Sequence, residues 1–217
     1  MIVTNCLEEY FALMKSRPEL FSQSDVFPIV TDTQIIEEYE KSTGKKIGVL
    51  YKSKYNMLVA DLINANDKFF IYERIIPTAT GRGVVCIPVF QGKLLLLNQY
   101  RHSIRKQQLC FPRGFGENNI TSAENAKKEL YEEIGAHIND IKYLGSFTAD
   151  SGLIGSECDI FLCFIDSYNE ISKEEGIEKI FLFDEKTFED NIKSNNINDG
   201  FTLGAYALYK TASSNLL

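Results

Sequence analysis

Two apolar runs set the terms for any fold of this 217-residue chain. Val84-Val85-Cys86-Ile87-Pro88-Val89-Phe90 and Leu94-Leu95-Leu96-Leu97 flank Gln91-Gly92-Lys93. Short apolar runs separated by a glycine turn read as the two strands of a hairpin. Pro88 has no N–H to give a ladder, so its strand is expected at an edge or at a bulge. Further β-type segments occupy 48–51, 57–60 and 68–72, with Asn64-Ala65-Asn66-Asp67 turning between the last two. Others are expected at 109–111, 141–147, 160–165 and 177–183. Helical spacing appears first in Leu7, Tyr10, Phe11 and Met14, ahead of Pro18, and then in Ile35, Ile36 and Tyr39, ahead of Gly44. One strong helix follows the hairpin. Thr121-Ser122-Ala123-Glu124 has capping-box form, Ala126, Leu130 and Ile134 make an apolar stripe, and Gly135 supplies a stop. A last helix is expected over 201–210. This order predicts an α+β chain, an α/β/α sandwich around a mixed sheet with a helical N-terminal extension. The expected division is a helical and β extension over 1–65 and the main domain over 66–217.

Composition narrows the function classes. The chain is 44% hydrophobic and 24% charged, as expected of a globular protein. Its 23 Lys+Arg against 30 Asp+Glu leave a formal charge of −7. That balance argues against nonspecific binding to nucleic acid or to an anionic membrane. A phosphate ligand stays compatible, because a divalent cation inverts the local charge. Cys6, Cys86, Cys110, Cys158 and Cys163 are odd in number and form no C-x-x-C pair. They fit free thiols in a reducing compartment. Two histidines, His102 and His137, rule against a multi-histidine zinc site. No signal peptide or apolar run of about 18 residues is recognised. The expected location is the cytoplasm.

Glu129, Glu132 and Glu133 carry the chemistry. At i,i+3 and i,i+4 spacing their carboxylates share one side of the central helix. Like charges there destabilise the helix, and its C-terminal end already carries negative partial charge. A hard divalent cation, Mg²⁺ with Mn²⁺ as a substitute, resolves the conflict. The plain alternative is a solvated face, with Glu124–Lys128 and Lys128–Glu132 as ordinary ion pairs. Upstream, Gly114 lets the backbone approach a ligand, and the Arg113 carbonyl is a natural metal donor. Arg101, Arg105 and Arg113 are cations suited to phosphate oxygens.

The segment GFGENNITSAENAKKELYEEIGA, from Gly114 to Ala136, resembles the Nudix box, G-x5-E-x7-R-E-U-x-E-E-x-G-U, where U is a bulky aliphatic. Gly114, Glu129, Leu130, Glu132, Glu133 and Gly135 match in register. Ile120 stands in place of the first glutamate, Lys128 in place of arginine, and Ala136 is smaller than usual; Glu117 lies in the same loop as a candidate substitute. The stretch LLLLNQYRHSIRKQQLCFPRGFGE is similar to the segment before the box in ADP-ribose pyrophosphatases, with Cys110 where those have a glutamate. INDGFTLGAYALYK, residues 197–210, resembles their C-terminal end. The resemblance implies a Nudix fold and hydrolysis of a diphosphate linkage in a nucleoside diphosphate derivative, ADP-ribose or a related nucleotide sugar foremost. It implies metal binding by Arg113, Glu129, Glu132 and Glu133, and phosphate contact by Arg101, with Arg105 assisting. It places the general base in a loop after the box. Glu175 and Glu157 are the leading candidates, with Glu174 and Glu178 beside them. A homodimer is also implied. The alternatives are a noncatalytic nucleotide sensor, or a hydrolase of coenzyme A or nucleoside triphosphates.

Overall fold

The computed structural model describes residues 5–169, 173 and 175–213. Two compact units are present, Met1–Ala79 with Asp150–Ser156, and Thr80–Ala149 with Glu157–Leu217.

The first unit holds α1 (Cys6–Ser16), a 3-10 turn at Pro18–Phe21, α2 (Thr33–Thr43), and strands β1 (Gly48–Lys52), β2 (Asn56–Ala65) and β3 (Lys68–Pro77). The strands form an antiparallel sheet in the order β1-β2-β3. Asn66 and Asp67, both at positive φ, make the two-residue turn between Ala65 and Lys68. Gly44 ends α2 in the left-handed region, as its place in the sequence predicts. Tyr10, Leu13, Phe21, Val49, Met57, Val59 and Ile76 form one core of the unit. The buried Asp61 accepts from the Tyr10 hydroxyl and, at 2.6 Å, from Arg74 Nε, so its charge is paired inside the unit. The division falls after Ala79 rather than after residue 65. The reason is that β3 pairs with β2 from Ala65↔Lys68 to Asn56↔Pro77 and so belongs to the first sheet.

The second unit contains β4 (Gly83–Phe90), β5 (Lys93–Arg101), β6 (Lys106–Cys110), β7 (Arg113–Gly114), α3 (Ser122–Ile134), β8 (His137–Phe147), β9 (Cys158–Ser167), β10 (Ile177–Phe183), α4 (Glu185–Lys193) and α5 (Gly200–Ser213). Its mixed sheet runs β10-β5-β4-β9-β8, with β6 on β5 and β7 on β4. The β4–β9 pair is parallel and the other pairs are antiparallel. Strand alternation sends side chains to two faces. Val84, Cys86, Leu95, Leu97, Phe161 and Cys163 pack with Ala126, Leu130 and Ile134 of α3. Cys86 Sγ also donates to the Ala126 carbonyl at 3.5 Å. Val85, Ile87, Leu94, Leu96, Ile160 and Leu162 pack on the other face with Phe188 of α4 and Ala205 and Tyr206 of α5. The unit is therefore the expected helix–sheet–helix sandwich.

Two details differ from the sequence expectation. Pro88 lies in an interior strand, not at an edge. β4 pairs with β7 only at Val84 and Val85 and with β5 only at Val89 and Phe90, so Pro88 falls in the gap between these ladders. The hairpin itself is as expected, with Gln91 and Gly92 both at positive φ. Helix α4 was not anticipated; Asp184 caps it by accepting from the Thr187 N–H at 2.7 Å, and Phe188 is its buried anchor. Among the described residues no helix is long and apolar enough to cross a membrane.

Leu130 is fully buried between α3 and the sheet. Leu130→Ala is expected to destabilise the second unit by about 3 kcal/mol, a cost of lost transfer and cavity terms, read as a lower urea midpoint.

Candidate active site

Helix α3 is fixed at both ends. The Thr121 hydroxyl accepts from the Glu124 N–H at 3.2 Å, and the Glu124 carboxylate accepts from the Thr121 N–H at 2.8 Å, closing the capping box. Asp159 of β9 accepts from the Ser122 hydroxyl at 2.6 Å, which ties the helix start to the sheet. Asn125, almost wholly buried, donates to the Phe115 carbonyl at 2.8 Å and holds the preceding loop. Gly135 closes the helix in the left-handed region.

Glu129 and Glu133, one turn apart, are withdrawn from water to different extents. Glu133 is only 4% exposed, and its Oε2 is buried with no hydrogen-bond partner among the described residues. Burial, and then the charge of Glu129, push the Glu133 pKa up to about 8, while Arg101 opposes the shift. Burial, and then the charge of Glu132, raise Glu129 to about 7. Gly114 of β7 lies directly against Glu129, and a Cβ at that position would fall inside the carboxylate. Glu132 stands at the exposed rim, 3.7 Å from Lys128 Nζ.

Lys128 also binds Glu117 through a short ion pair. Glu117 thus gives a partner to the lysine that replaces the family's arginine, in the loop where Ile120 replaces its glutamate.

The arginines differ in their surroundings. Arg101 Nη2 donates to Cys110 Sγ at 3.1 Å, its Nε is buried without a hydrogen-bond partner among the described residues, and its charge is felt at Glu133. Arg105 is exposed, 2.9 Å from His102 Nδ1, with its guanidinium 5.7 Å from the Tyr100 ring. Arg113 departs from the expectation of a free phosphate-binding cation. Its Nη1 lies 3.0 and 3.2 Å from the two oxygens of Asp199, and the guanidinium stacks 4.2 Å from the Phe201 ring. Nη1 is thus committed to Asp199, and one face of the guanidinium to Phe201.

The candidate bases also separate. The negative charge of Glu175 adds to the upward shift of both Glu129 and Glu133, after burial and closer carboxylates. Its backbone is anchored, since the Gln99 amide donates to the Glu175 carbonyl at 2.8 Å and the Tyr100 N–H to Gly176 at 2.9 Å. Glu157 is paired with Arg82 at 2.9 Å, and Arg82 also reaches Asp159 beside Ser122. That is the start of α3. Glu178 accepts from Asn98 at 3.1 Å on the exposed side of β10. Glu174 lies outside the described residues.

Asp199 and Gln99 were not singled out from sequence. The signal for Asp199 was the N-cap pattern Asp199-Gly200-Phe201-Thr202 before the last helix. Gln99 gave none, because only the folded turn shows what its amide reaches.

These residues fit a hard divalent cation. A buried carboxylate oxygen without a donor, and two carboxylates that resist joint ionisation, are what such an ion relieves. Among the described residues no three His, Cys, Asp or Glu side chains form a ready-made cage.

A stability test follows. With the metal chelated, folded Glu133 holds its proton more tightly than the unfolded chain does, so stability falls as pH rises from the ordinary carboxylate range through about 8. The thermal midpoint in EDTA is expected to drop across that window. Glu133→Gln should flatten the drop; an equal slope in both proteins would contradict the assigned burial.

A model of the NUDIX domain matches residues 79–194. The ADP compounds hydrolase NudE of Escherichia coli (strain K12) is 28% identical over 122 residues, 56% of this chain. The match spans 65% of that relative's length. A solved structure of an ADP compounds hydrolase superposes with a TM-score of 0.71 at 17% identity, covering 90% of this chain and 98% of that one. At that identity the likeness establishes the fold alone. The family match covers more than half of the sequence and includes the whole acid-bearing helix, so the chain belongs to the NUDIX domain family.

Proposed function

We propose that this chain is a Mg²⁺-dependent hydrolase, with Mn²⁺ as an alternative, that cleaves the diphosphate linkage of a nucleoside diphosphate derivative. ADP-ribose or a related sugar nucleotide is the preferred substrate. The observation that carries the reading is half-buried Glu129 beside buried Glu133, the first packed on Gly114 and the second under the charge of Arg101. The relative named for ADP compounds supports the substrate class.

Glu129 and Glu133 would hold the ion, with Glu132 at the rim and the Arg113 main chain as a further donor. When bound, the cation supplies positive charge for the diphosphate and a more acidic water at neutral pH. Arg101 neutralises charge that accumulates on the phosphoryl oxygens as water attacks phosphorus in line. Arg105, exposed on the adjoining loop, supplements Arg101 once substrate is bound. Glu175 takes the proton of the attacking water, because it is the candidate base whose charge acts on the acidic pair. Glu157, neutralised by Arg82, is set aside from that role. The products from ADP-ribose would be a nucleoside monophosphate and a sugar phosphate. A homodimer, which rests on the resemblance, and a cytoplasmic location, which rests on the free thiols, complete the proposal.

The test is turnover of ADP-ribose, other sugar nucleotides and coenzyme A with Mg²⁺ and with Mn²⁺. Glu129→Gln should lower kcat about a hundredfold or more without unfolding the chain. Near-wild-type turnover by that variant would remove the metal assignment. Glu175→Gln should lower kcat about a hundredfold with KM little changed, whereas Glu157→Gln should stay close to wild type. The reverse ranking would move the base to Glu157.

A further inference from the structure

One buried side chain joins the strand that carries Arg101 to the segment that carries Glu175. Strand alternation sets Leu95, Leu97, Gln99 and Arg101 on one face of β5. On that face Leu95 and Leu97 pack under α3. Cys110, the cross-strand partner of Leu97, lies in the same core. Gln99 is only 3% exposed, so both ends of its amide need partners. Its Nε2 donates to the Glu175 carbonyl at 2.8 Å, and its Oε1 accepts from the Cys110 thiol at 3.7 Å. The sulfur in turn accepts from Arg101 Nη2 at 3.1 Å. Only the amino end of the amide can face a carbonyl, which leaves the amide oxygen for the thiol. Burial pushes the Cys110 thiol up, so it keeps the proton that it donates.

The backbone repeats the link. The Tyr100 N–H donates to the Gly176 carbonyl at 2.9 Å, and a Cβ on Gly176, which has φ +70°, would meet Tyr100 at 3.4 Å. Gln99 also pairs with Ile177, where the β5–β10 ladder shifts register before Lys179. The Glu175 side chain is exposed, so its place is set through its main chain. We propose that Gln99 is a positioning residue that holds Arg101 and Glu175 in fixed relation, through the Cys110 thiol at one end and the Glu175 carbonyl at the other. It acts through those two residues and not by contact with substrate. A base and a phosphate-facing cation must keep a set spacing across the diphosphate, and a misplacement of about 1 Å can cost about a hundredfold in rate. The inference rests on the proposed roles of Arg101 and Glu175, and it adds the residue that sets the distance between them.

The test is a kinetic cycle on the full chain with ADP-ribose and Mg²⁺. Gln99→Met keeps an unbranched side chain and removes both polar contacts. It should lower kcat about tenfold. In the Glu175→Gln background the same substitution should lower kcat by less than about threefold, the non-additivity of residues that act through one another. Cys110→Ala, which releases Arg101, should raise KM about fivefold or more. Cys110→Ser keeps a donor and an acceptor, and should bring KM back to within about twofold of wild type. Wild-type kcat in Gln99→Met overturns the proposal. So does an equal loss in both backgrounds, since Gln99 would then serve the fold alone. Should Gln99→Met not fold, the Cys110 variants decide, and equal KM values for Ala and Ser overturn the proposal. If Glu175→Gln itself matches wild type, the base assignment fails and this inference with it; the other failures leave that assignment standing.

Discussion

The repulsion between two carboxylates one helical turn apart governs the second unit. In water, Glu129 and Glu133 would cost α3 a few tenths of a kcal/mol. Burial against Gly114 and the sheet makes the conflict larger, and both groups answer by holding protons well above their ordinary range. A helix carrying that load at its negative end has to be held by other means. The capping box, the Ser122–Asp159 bond and the Leu130 and Ile134 stripe supply them.

The sheet does more than support the helix. Its alternation divides one set of strands between two helical layers, so that α3 is pressed on one face while α4 and α5 cover the other. The C-terminal segment also reaches the turn before the candidate site, since Thr202 and Asp199 bind Phe111 and Arg113 at the strand end that leads into Gly114. Residues separated by about ninety positions in the chain therefore converge on one short turn.

Much of this was legible from spacing. The hairpin at Gln91-Gly92, the capped helix, its glutamates and Gly44 as a stop are local signals, each set by backbone preference or periodicity. Less legible were features that depend on distant partners. For Pro88 the missing N–H points to an edge or a bulge, and sequence does not show the gap between two ladders that makes it harmless in an interior strand. The charge of Arg113 is visible in sequence, whereas its partner Asp199, 86 residues on, is not. Glu157 and Glu175 were indistinguishable as acidic loop residues; Arg82 beside one and Gln99 beneath the other separate them. The boundary after Ala79 escaped for the same reason, as strand pairing decides it.

The thiols under α3 carry a consequence for the unit's internal motion. Cys86 and Cys163 are both fully buried, and Cys86 is bonded to a carbonyl of the helix that roofs it. A reagent that alkylates thiols has no route to either while helix and sheet stay in contact. The rate at which Cys86 becomes modified in the native protein is thus a clock for transient lifting of the acid-bearing helix, a local opening distinct from global unfolding. Two sulfur atoms of no evident chemical use make the breathing of the site directly measurable.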